Sequence, residues 1–411
     1  MLTGCTPWPE ELQRRYREAG YWEDITLWQM FEQSATKTPD RIALVFEDQR
    51  ITYRELERQA NRLALKFSEI GLKNRDRVVF QLANSPELIY AFYGLTKIGV
   101  IPVMALPAHR FTEISHFAGH AGAVGYLIPN QIKDFDYREL AGEITVAVPS
   151  VQHIIVAGQA NEGQHSLTDW LAEPKVPGDE YRGDQGDPED VALMLLSGGT
   201  TALSKLIPRT HNDFVYNCRQ SSVVSSIDAK TVMLTLLPMS HNYNLGSPGI
   251  LTALASGGCV VIASSINTEH VFSLIEKEQV SLILGAVPLV TKWLTSDIPE
   301  QHNLSSIKII MNGGAKLAPE LRQRIQTKFG CVFQESFGMG EGLLNLTRLN
   351  DEDEVILHSS GRPMSPGDEI KIVDENGNEV ADGEKGELTC RGPYTIQGYY
   401  YAPESSANAF S

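Results

Sequence analysis

Cysteine is scarce in this chain: five among 411 residues (Cys5, Cys218, Cys259, Cys331 and Cys390), odd in number, widely scattered and without a Cys-x-x-Cys pair. That distribution argues against a disulfide framework and against a zinc site, and the thiols read as reduced and mostly buried in a cytoplasmic protein. Long apolar runs are missing as well. No stretch approaches the roughly 18 consecutive apolar residues of a membrane span. The amino terminus carries Pro7, Pro9, Glu10 and Glu11 where a signal peptide needs an apolar segment, so neither a targeting nor a membrane segment is expected. Positive charge is in short supply: 35 Lys+Arg stand against 51 Asp+Glu, a net charge of -16. Such a field repels nucleic acid and anionic membranes except at local basic pockets, so neither is an expected partner. Internal repeats and low-complexity tracts are also absent.

What is present is length enough for about two to three domains and punctuation typical of alternating strands and helices. Thr52-Tyr53-Arg54-Glu55 reads as a capping box, and Leu56, Ala60, Leu63, Ala64, Phe67 and Ile70 follow at helical spacing until Gly71. Arg77 to Leu82 reads as a buried strand, Ser85-Pro86 opens a helix that Gly99 closes, and Val100 to Ala105 reads as the next strand. This βαβ unit implies parallel strands. From Gly158 to Asp190 the composition turns to Gly, Pro, Asp and Glu, as in a surface linker. Apolar runs at Val191 to Leu195, Val232 to Leu237, Cys259 to Ala263, Ser281 to Leu284, Ile307 to Met311 and Cys331 to Phe333 then alternate with helix-like stretches. Beyond Glu354, Glu369 to Val373 and Glu387 to Cys390 flank a turn-rich Asp374-Glu375-Asn376-Gly377-Asn378, which predicts hairpins. The expected organisation is an α/β chain with two parallel-rich layered subdomains, 1–190 and 191–354, and a small β subdomain over 355–411.

Directly after the first run of the second half lies Leu196-Ser197-Gly198-Gly199-Thr200-Thr201-Ala202-Leu203-Ser204-Lys205. Its glycines let backbone N–H groups approach phosphate oxygens, its hydroxyls add donors and Lys205 adds a point charge. It is not a Walker loop, which ends Gly-Lys-Ser/Thr. By composition alone such a loop is either a polyphosphate cradle or a plain connector.

Four further segments fall where parallel strands should end, the edge at which open α/β sheets gather ligands. Pro238 to Ser247 offers the imidazole of His241, the amides of Asn242 and Asn244, the phenol of Tyr243 and the hydroxyl of Ser247, a set suited to an oriented polar aromatic ligand, or else a loop satisfied by its own backbone. Asn312-Gly313-Gly314-Ala315-Lys316 would let a flat ring lie on bare backbone, or is a tight turn. Ser336-Phe337-Gly338-Met339-Gly340-Glu341-Gly342 sets one carboxylate among glycines, the type that holds magnesium beside phosphate or sits solvated. Arg391 could touch phosphate or form an ordinary ion pair.

Taken together, these segments resemble the adenylate-forming enzymes (acyl-CoA synthetases, luciferases and peptide-synthetase adenylation domains), and within them the 2,3-dihydroxybenzoate-AMP ligases of catechol siderophore synthesis. The carrying residues are Thr6-Pro7-Trp8-Pro9, Ala105 to Arg110, Leu196 to His211, His241-Asn242-Tyr243, Gly313 to Lys316, Phe337 to Gly342 and Arg391 to Thr395. The resemblance implies that the small β subdomain is a barrel. It implies a two-step reaction: an aryl carboxylate attacks the α-phosphate of ATP to give aryl-AMP and pyrophosphate, and the aryl group then passes to the phosphopantetheine thiol of an aryl carrier protein. By position, Ser197, Gly198, Gly199, Thr200, Thr201 and Lys205 would hold the β and γ phosphates, and Glu341 with Thr201 would hold Mg2+. His241 would sit beside the reacting carboxylate, while Gly313, Gly314 and Ala315 would flank adenine and the aryl ring. Asn242 would face the 2-hydroxyl and Ser247 the 3-hydroxyl, with Tyr243 and Ser336 lining the pocket. Relatives that activate salicylate tend to carry cysteine at the place of Ser247.

The chain departs from that pattern in four places. Ala202 stands where the family has glycine, Gly340 where alanine is usual, and Ser336 where a small apolar residue lines the ring pocket. The sequence given ends at Ala409-Phe410-Ser411, before the family's Tyr-Arg-Thr-Gly-Asp stretch and the lid with its adenylating lysine. The expectation is therefore a substrate-binding core of low activity, with salicylate activation or noncatalytic aryl-acid binding as the alternatives.

Overall fold

The computed structural model describes residues 1–174, 181–183, 185–198 and 203–410. Among these, two parallel-rich sheets organise the molecule. The seven-stranded sheet runs in the order Leu206–Thr210, Val191–Leu196, Ile101–Met104, Arg77–Phe80, Gly125–Pro129, His153–Ala157, His165–Ser166, all parallel except the first pair. The nine-stranded sheet runs Arg362–Pro363, Leu344–Leu346, Val332–Gly338, Ile309–Asn312, Leu282–Gly285, Val232–Thr235, Cys259–Ile262, Ile42–Phe46, Gln49–Thr52, parallel from Val332–Gly338 through Ile42–Phe46.

These strands are continuous apolar runs because both of their faces are covered. Val78 and Phe80 point to one core while Val79 points to another, and Met233 and Leu234 divide in the same way. The first of these cores lies between the sheets. It takes residues from both of them and from helices Leu27–Lys37, Tyr53–Glu69, Pro86–Lys97, His211–Val224 and Ile250–Ala255. Helices Phe111–Ala121 and Tyr137–Ala147 cover the outer face of the seven-stranded sheet. Helices Thr268–Glu278, Val287–Leu294 and Pro319–Phe329 cover that of the nine-stranded sheet.

Helix Tyr53–Glu69 buries the expected face, and Thr52 Oγ1 accepts from Glu55 N at 3.2 Å. Only that half of the expected capping box forms, because the Glu55 carboxylate is taken by Arg58 and Gln59. Sheet membership crosses the expected boundary at 190. Val191–Leu196 and Leu206–Thr210 extend the first sheet, and Ile42–Phe46 and Gln49–Thr52 form the far edge of the second. Buried parallel strands look alike in sequence, so the run itself does not say which sheet it joins. The linker-like segment contains strand His165–Ser166 and helix Leu167–Ala172.

After residue 355 the predicted hairpin is present, Glu369–Val373 antiparallel to Glu387–Arg391. Its sheet has two strands, with one further antiparallel bridge from Val373 to Glu379 and a bond from Val380 N to Ile372 O at 3.0 Å, so the expected barrel is not closed among the described residues. No described helix is long and apolar enough to cross a membrane.

Candidate active site

Strands Val232–Thr235, Leu282–Gly285, Ile309–Asn312 and Val332–Gly338 are parallel neighbours, so the loops that follow them leave from one edge of the sheet. The loop after Thr235 is clamped from the other sheet by Asn84, whose Nδ2 donates to Leu237 O at 2.9 Å and whose Oδ1 accepts from Met239 N at 2.8 Å. Asn244 Nδ2 donates to the same Leu237 carbonyl at 2.6 Å. Asn84 escaped the sequence reading; its only signal is its place just after strand Arg77–Phe80.

His241 caps the short helix Asn242–Leu245, its Nδ1 accepting from Tyr243 N at 3.3 Å. In the neutral ring this puts the proton on Nε2, free to donate outward. The residue is exposed, yet the protein mass around the ring desolvates it and holds its pKa below the ordinary value of 6.5. Behind it, Asn242 Oδ1 and the Tyr243 hydroxyl are buried without a hydrogen-bond partner, as are Ser240 Oγ and Asn312 Oδ1. Tyr243 faces Ser336, whose Oγ gives its proton to Asn312 O at 2.9 Å and keeps its lone pairs as acceptors. Burial pushes the Tyr243 hydroxyl pKa up, so it is a neutral donor. Uncompensated polar atoms inside a protein cost about 1–3 kcal/mol each. Those of Tyr243 and Asn312 adjoin the Gly313 turn, a candidate place for a polar ligand.

Gly313 forms the floor of that place. A Cβ on it would lie 2.7 Å from Ser336 Oγ and 2.8 Å from Tyr243 Cε2, so Tyr243, Gly313 and Ser336 meet. Gly314 adopts φ +84° with open space above it, a conformation that favours glycine. The turn is held from below, where Asn312 Nδ2 donates to Ala315 O at 2.7 Å and to Glu335 Oε2 at 3.2 Å. Glu335 is itself paired with the buried Arg322 at 3.0 Å. Ser247 lies at the opposite end of the short helix from Asn242, buried, its Oγ accepting from Asn217 Nδ2 at 2.9 Å. Among the described residues no hydrogen bond joins Ser247 or Asn242 to Gly313 or Ser336.

The predicted phosphate loop is closed at its base: Ser197 N donates to Lys205 O at 3.0 Å, and Lys205 N to Ser197 Oγ at 2.9 Å. Gly198 has open space where a side chain would stand. Gly199, Thr200, Thr201 and Ala202 lie outside the described residues. The Lys205 ammonium sits 4.3 Å from the centre of the Tyr399 ring, and Tyr399 donates its hydroxyl proton to Glu341 Oε1 at 2.9 Å. Thus Lys205 and Glu341, 136 positions apart by their numbers (341 minus 205), are joined through one aromatic side chain. Tyr399 also escaped the sequence reading, hidden in the run Tyr399-Tyr400-Tyr401. Arg209 Nη1 donates to Gly340 O at 2.9 Å and ties the loop's outgoing strand to the Glu341 turn. At Gly340 a Cβ would lie 2.8 Å from Ile207 Cδ1 alone, the tip of a side chain that can move aside. Arg391 takes the ion-pair alternative, 2.5 Å from Glu369, which also pairs with Arg15 at 2.8 Å.

No group of three or more His, Cys, Asp or Glu that could hold a metal occurs among the described residues. Glu341 still fits magnesium, which takes one or two carboxylates and completes its shell with phosphate oxygens and water.

Residues 31–400 match the family of AMP-binding enzymes. The chain belongs to that family. It is 43% identical to a 2,3-dihydroxybenzoate-AMP ligase of Bacillus subtilis, over all of this chain and 75% of that protein. It is 40% identical to a vibriobactin-specific 2,3-dihydroxybenzoate-AMP ligase of Vibrio cholerae, again over all of this chain and 75% of the relative. The apo structure of MbtA from Mycobacterium smegmatis superposes with a TM-score of 0.90 at 39% identity, covering 98% of this chain and 73% of the other. Membership in the AMP-binding enzymes gives Glu341 a specific test. Glu341→Gln keeps the size and the acceptor for Tyr399 but removes the charge. The Mg2+-dependent part of the affinity for an ATP analogue, measured by calorimetry with and without the metal, should fall about tenfold, or about 1.4 kcal/mol. An unchanged Mg2+ increment would remove Glu341 from the metal site.

Proposed function

We propose that this chain binds an aryl carboxylic acid and ATP and joins them as aryl-AMP with release of pyrophosphate. The acid proposed is 2,3-dihydroxybenzoate, and the acceptor of the aryl group is the phosphopantetheine thiol of an aryl carrier protein. The observation that carries this reading is the Tyr243 side chain, its hydroxyl buried and unpartnered, meeting Gly313 and Ser336, with the unpartnered Asn242 Oδ1 on the adjacent residue. It is supported by relatives named as 2,3-dihydroxybenzoate-AMP ligases and, at 37% identity, as a salicyl-AMP ligase of Mycobacterium tuberculosis.

The reaction needs no protein nucleophile. A carboxylate oxygen attacks the α-phosphorus, the bond to the bridging oxygen breaks, and pyrophosphate leaves with that electron pair. The work left to the protein is holding two anions in line and neutralising charge as it moves. The His241 Nε2 proton points outward as a donor toward the reacting oxygens, and neutrality suits it to donate without trapping the carboxylate as a salt. Lys205, the Ser197 hydroxyl, whose proton is uncommitted among the described residues, and the Gly198 backbone N–H grip the departing phosphates, together with Gly199, Thr200 and Thr201. When bound at Glu341 and Thr201, Mg2+ supplies charge neutralisation on the phosphate oxygens.

Ser247 accepts from Asn217, and no acceptor for its own proton occurs among the described residues, so it has a hydrogen to give to a 3-hydroxyl oxygen. Asn242 Oδ1 can accept from a 2-hydroxyl. A site that bonds hydroxyls penalises analogues lacking them. Calorimetry of the chain should therefore rank 2,3-dihydroxybenzoate above salicylate and salicylate above benzoate. Each step should be about five- to tenfold, the worth of one hydrogen bond of about 1–1.4 kcal/mol. Ser247→Cys should erase the first step. Equal binding of all three acids would sink the substrate assignment. Tight binding of the acids with none of a nonhydrolysable aryl-adenylate analogue would favour a noncatalytic aryl-acid module.

A further inference from the structure

Two histidines one turn apart on helix Phe111–Ala121 reach across to the backbone beside the phosphate loop, and nothing in the adenylation chemistry calls for either. His116 Nε2 lies 3.2 Å from Ser204 O, and His120 Nε2 lies 2.8 Å from Tyr400 O. A carbonyl oxygen can only accept, so each ring carries a proton on Nε2 and donates it. The two rings stack, with centroids 5.6 Å apart and planes 18° from parallel.

Their targets are one residue away from the Lys205–Tyr399 contact. Ser204 directly precedes Lys205, and Tyr400 directly follows Tyr399. Tyr400 N in turn donates to Leu206 O at 3.0 Å, which stitches the two chain segments together. The helix that carries the histidines is itself fixed, with Ile114, Phe117, Ala118 and Ala121 in the core and Gly122 ending it at φ 58°. A rigid element therefore holds the backbone on both sides of the ammonium–ring–carboxylate chain Lys205–Tyr399–Glu341.

We propose that His116 and His120 are positioning residues for the triphosphate, a two-point brace that sets where the Lys205 ammonium and the Glu341 carboxylate stand. This role rests on the reading of the site as an ATP-dependent adenylating centre. Binding of the phosphates relies on charges already being in place, because any freedom left in Lys205 must be removed on binding. The aryl-acid pocket, built on Tyr243, Gly313 and Ser336, does not share the brace.

The test compares two replacements at His116. His116→Phe keeps a flat ring against His120 and loses the donor; His116→Gln returns an N–H donor at similar reach. Hydrogen exchange of the amides over residues 203–206 and calorimetry with a nonhydrolysable ATP analogue plus Mg2+ and with 2,3-dihydroxybenzoate read the outcome. In His116→Phe the exchange should quicken several-fold and the nucleotide affinity should fall about three- to tenfold, the range of one lost hydrogen bond. Acid affinity should stay within about twofold, and His116→Gln should recover most of both effects. Nucleotide affinity in His116→Phe equal to wild type, an equal loss for acid and nucleotide, or no recovery in His116→Gln would each overturn the brace. If the wild-type chain binds no ATP analogue while His116→Phe still quickens exchange, the adenylation reading fails and the triphosphate role fails with it. If wild type binds and the variant matches it, only the brace fails.

Discussion

Arg209→Met is expected to destabilise the fold by about 3–5 kcal/mol, the cost of leaving one partner of a buried ion pair alone. The Arg209 and Asp213 side chains are 1% and 0% exposed and 2.8 Å apart. Asp213 also accepts from Thr210 N at 2.6 Å and Thr210 Oγ1 at 3.0 Å, which caps helix His211–Val224. Arg209 donates besides to Gly340 O and to Tyr394 O at 3.1 Å, so one side chain pins the phosphate-loop strand, the Glu341 turn and the chain near Tyr394. Methionine fills the space and returns none of these bonds.

The loss should depend on pH in a definite direction. Burial pushes the Asp213 carboxyl up, and the Arg209 charge is the largest influence opposing it. Without Arg209 the folded-state pKa rises further above its unfolded value of about 3.9. Between those two values the native state binds more protons than the unfolded one, so stability falls as pH rises through the window and is regained on acidification. Denaturation midpoints of Arg209→Met should therefore climb as pH is lowered from 8 towards 5, more steeply than those of the wild type. Arg209→Met combined with Asp213→Asn should recover part of the loss at pH 8, since removing both charges of a buried pair costs less than removing one. A single variant as stable at pH 8 as at pH 5, or a double variant worse than the single, would refute this account of the pair.

Those two residues also show where sequence reading stops. The apolar runs found the strands, and the loops after them pointed to His241, Gly313 and Glu341 as candidates, because buried parallel strands and glycine-rich exits carry local signals. Arg209 lies in the run that carries the resemblance, but neither it nor Asp213 has a local signal of burial, since charged residues four apart at a helix start commonly sit on the surface. The burial of the pair follows only from Val191–Leu196 and Leu206–Thr210 joining the seven-stranded sheet, which places them against the Glu341 turn. The same holds for Tyr399 and Asn84. Each acts across a distance in sequence that only the packing of two sheets closes, and side-chain type alone did not distinguish them from neighbours such as Tyr401 or Asn74. Conversely, Arg391 had the right chemistry for phosphate and the wrong surroundings, since Glu369 already neutralises it.

The largest effect on ligand binding is expected at Gly313. Its backbone lies outside the left-handed region, so a side chain there is conformationally acceptable and the whole penalty comes from what the side chain meets. A Cβ would sit 2.7 Å from Ser336 Oγ and 2.8–2.9 Å from Tyr243 Cε2 and Cζ, well inside contact distance. Ser336 yields at the expense of its bond to Asn312 O, and otherwise the Tyr243 ring must move. Gly313→Val adds two methyl groups to that crowding. Overpacking of this kind costs about 1–3 kcal/mol of stability, which the protein should survive. Affinity for 2,3-dihydroxybenzoate should nevertheless drop more than about 100-fold, close to 3 kcal/mol, because the groups that move are those proposed to hold the acid. Gly314→Ala is the informative contrast. There φ is +84° and the space is open, so alanine carries a backbone penalty of about 1–2 kcal/mol and no clash. Gly314→Ala should thus cost stability comparable to Gly313→Val while weakening acid binding only a few-fold. Calorimetry on both variants separates loss of fold from loss of site: acid binding by Gly313→Val within about threefold of wild type would mean that the aryl ring does not lie over Gly313.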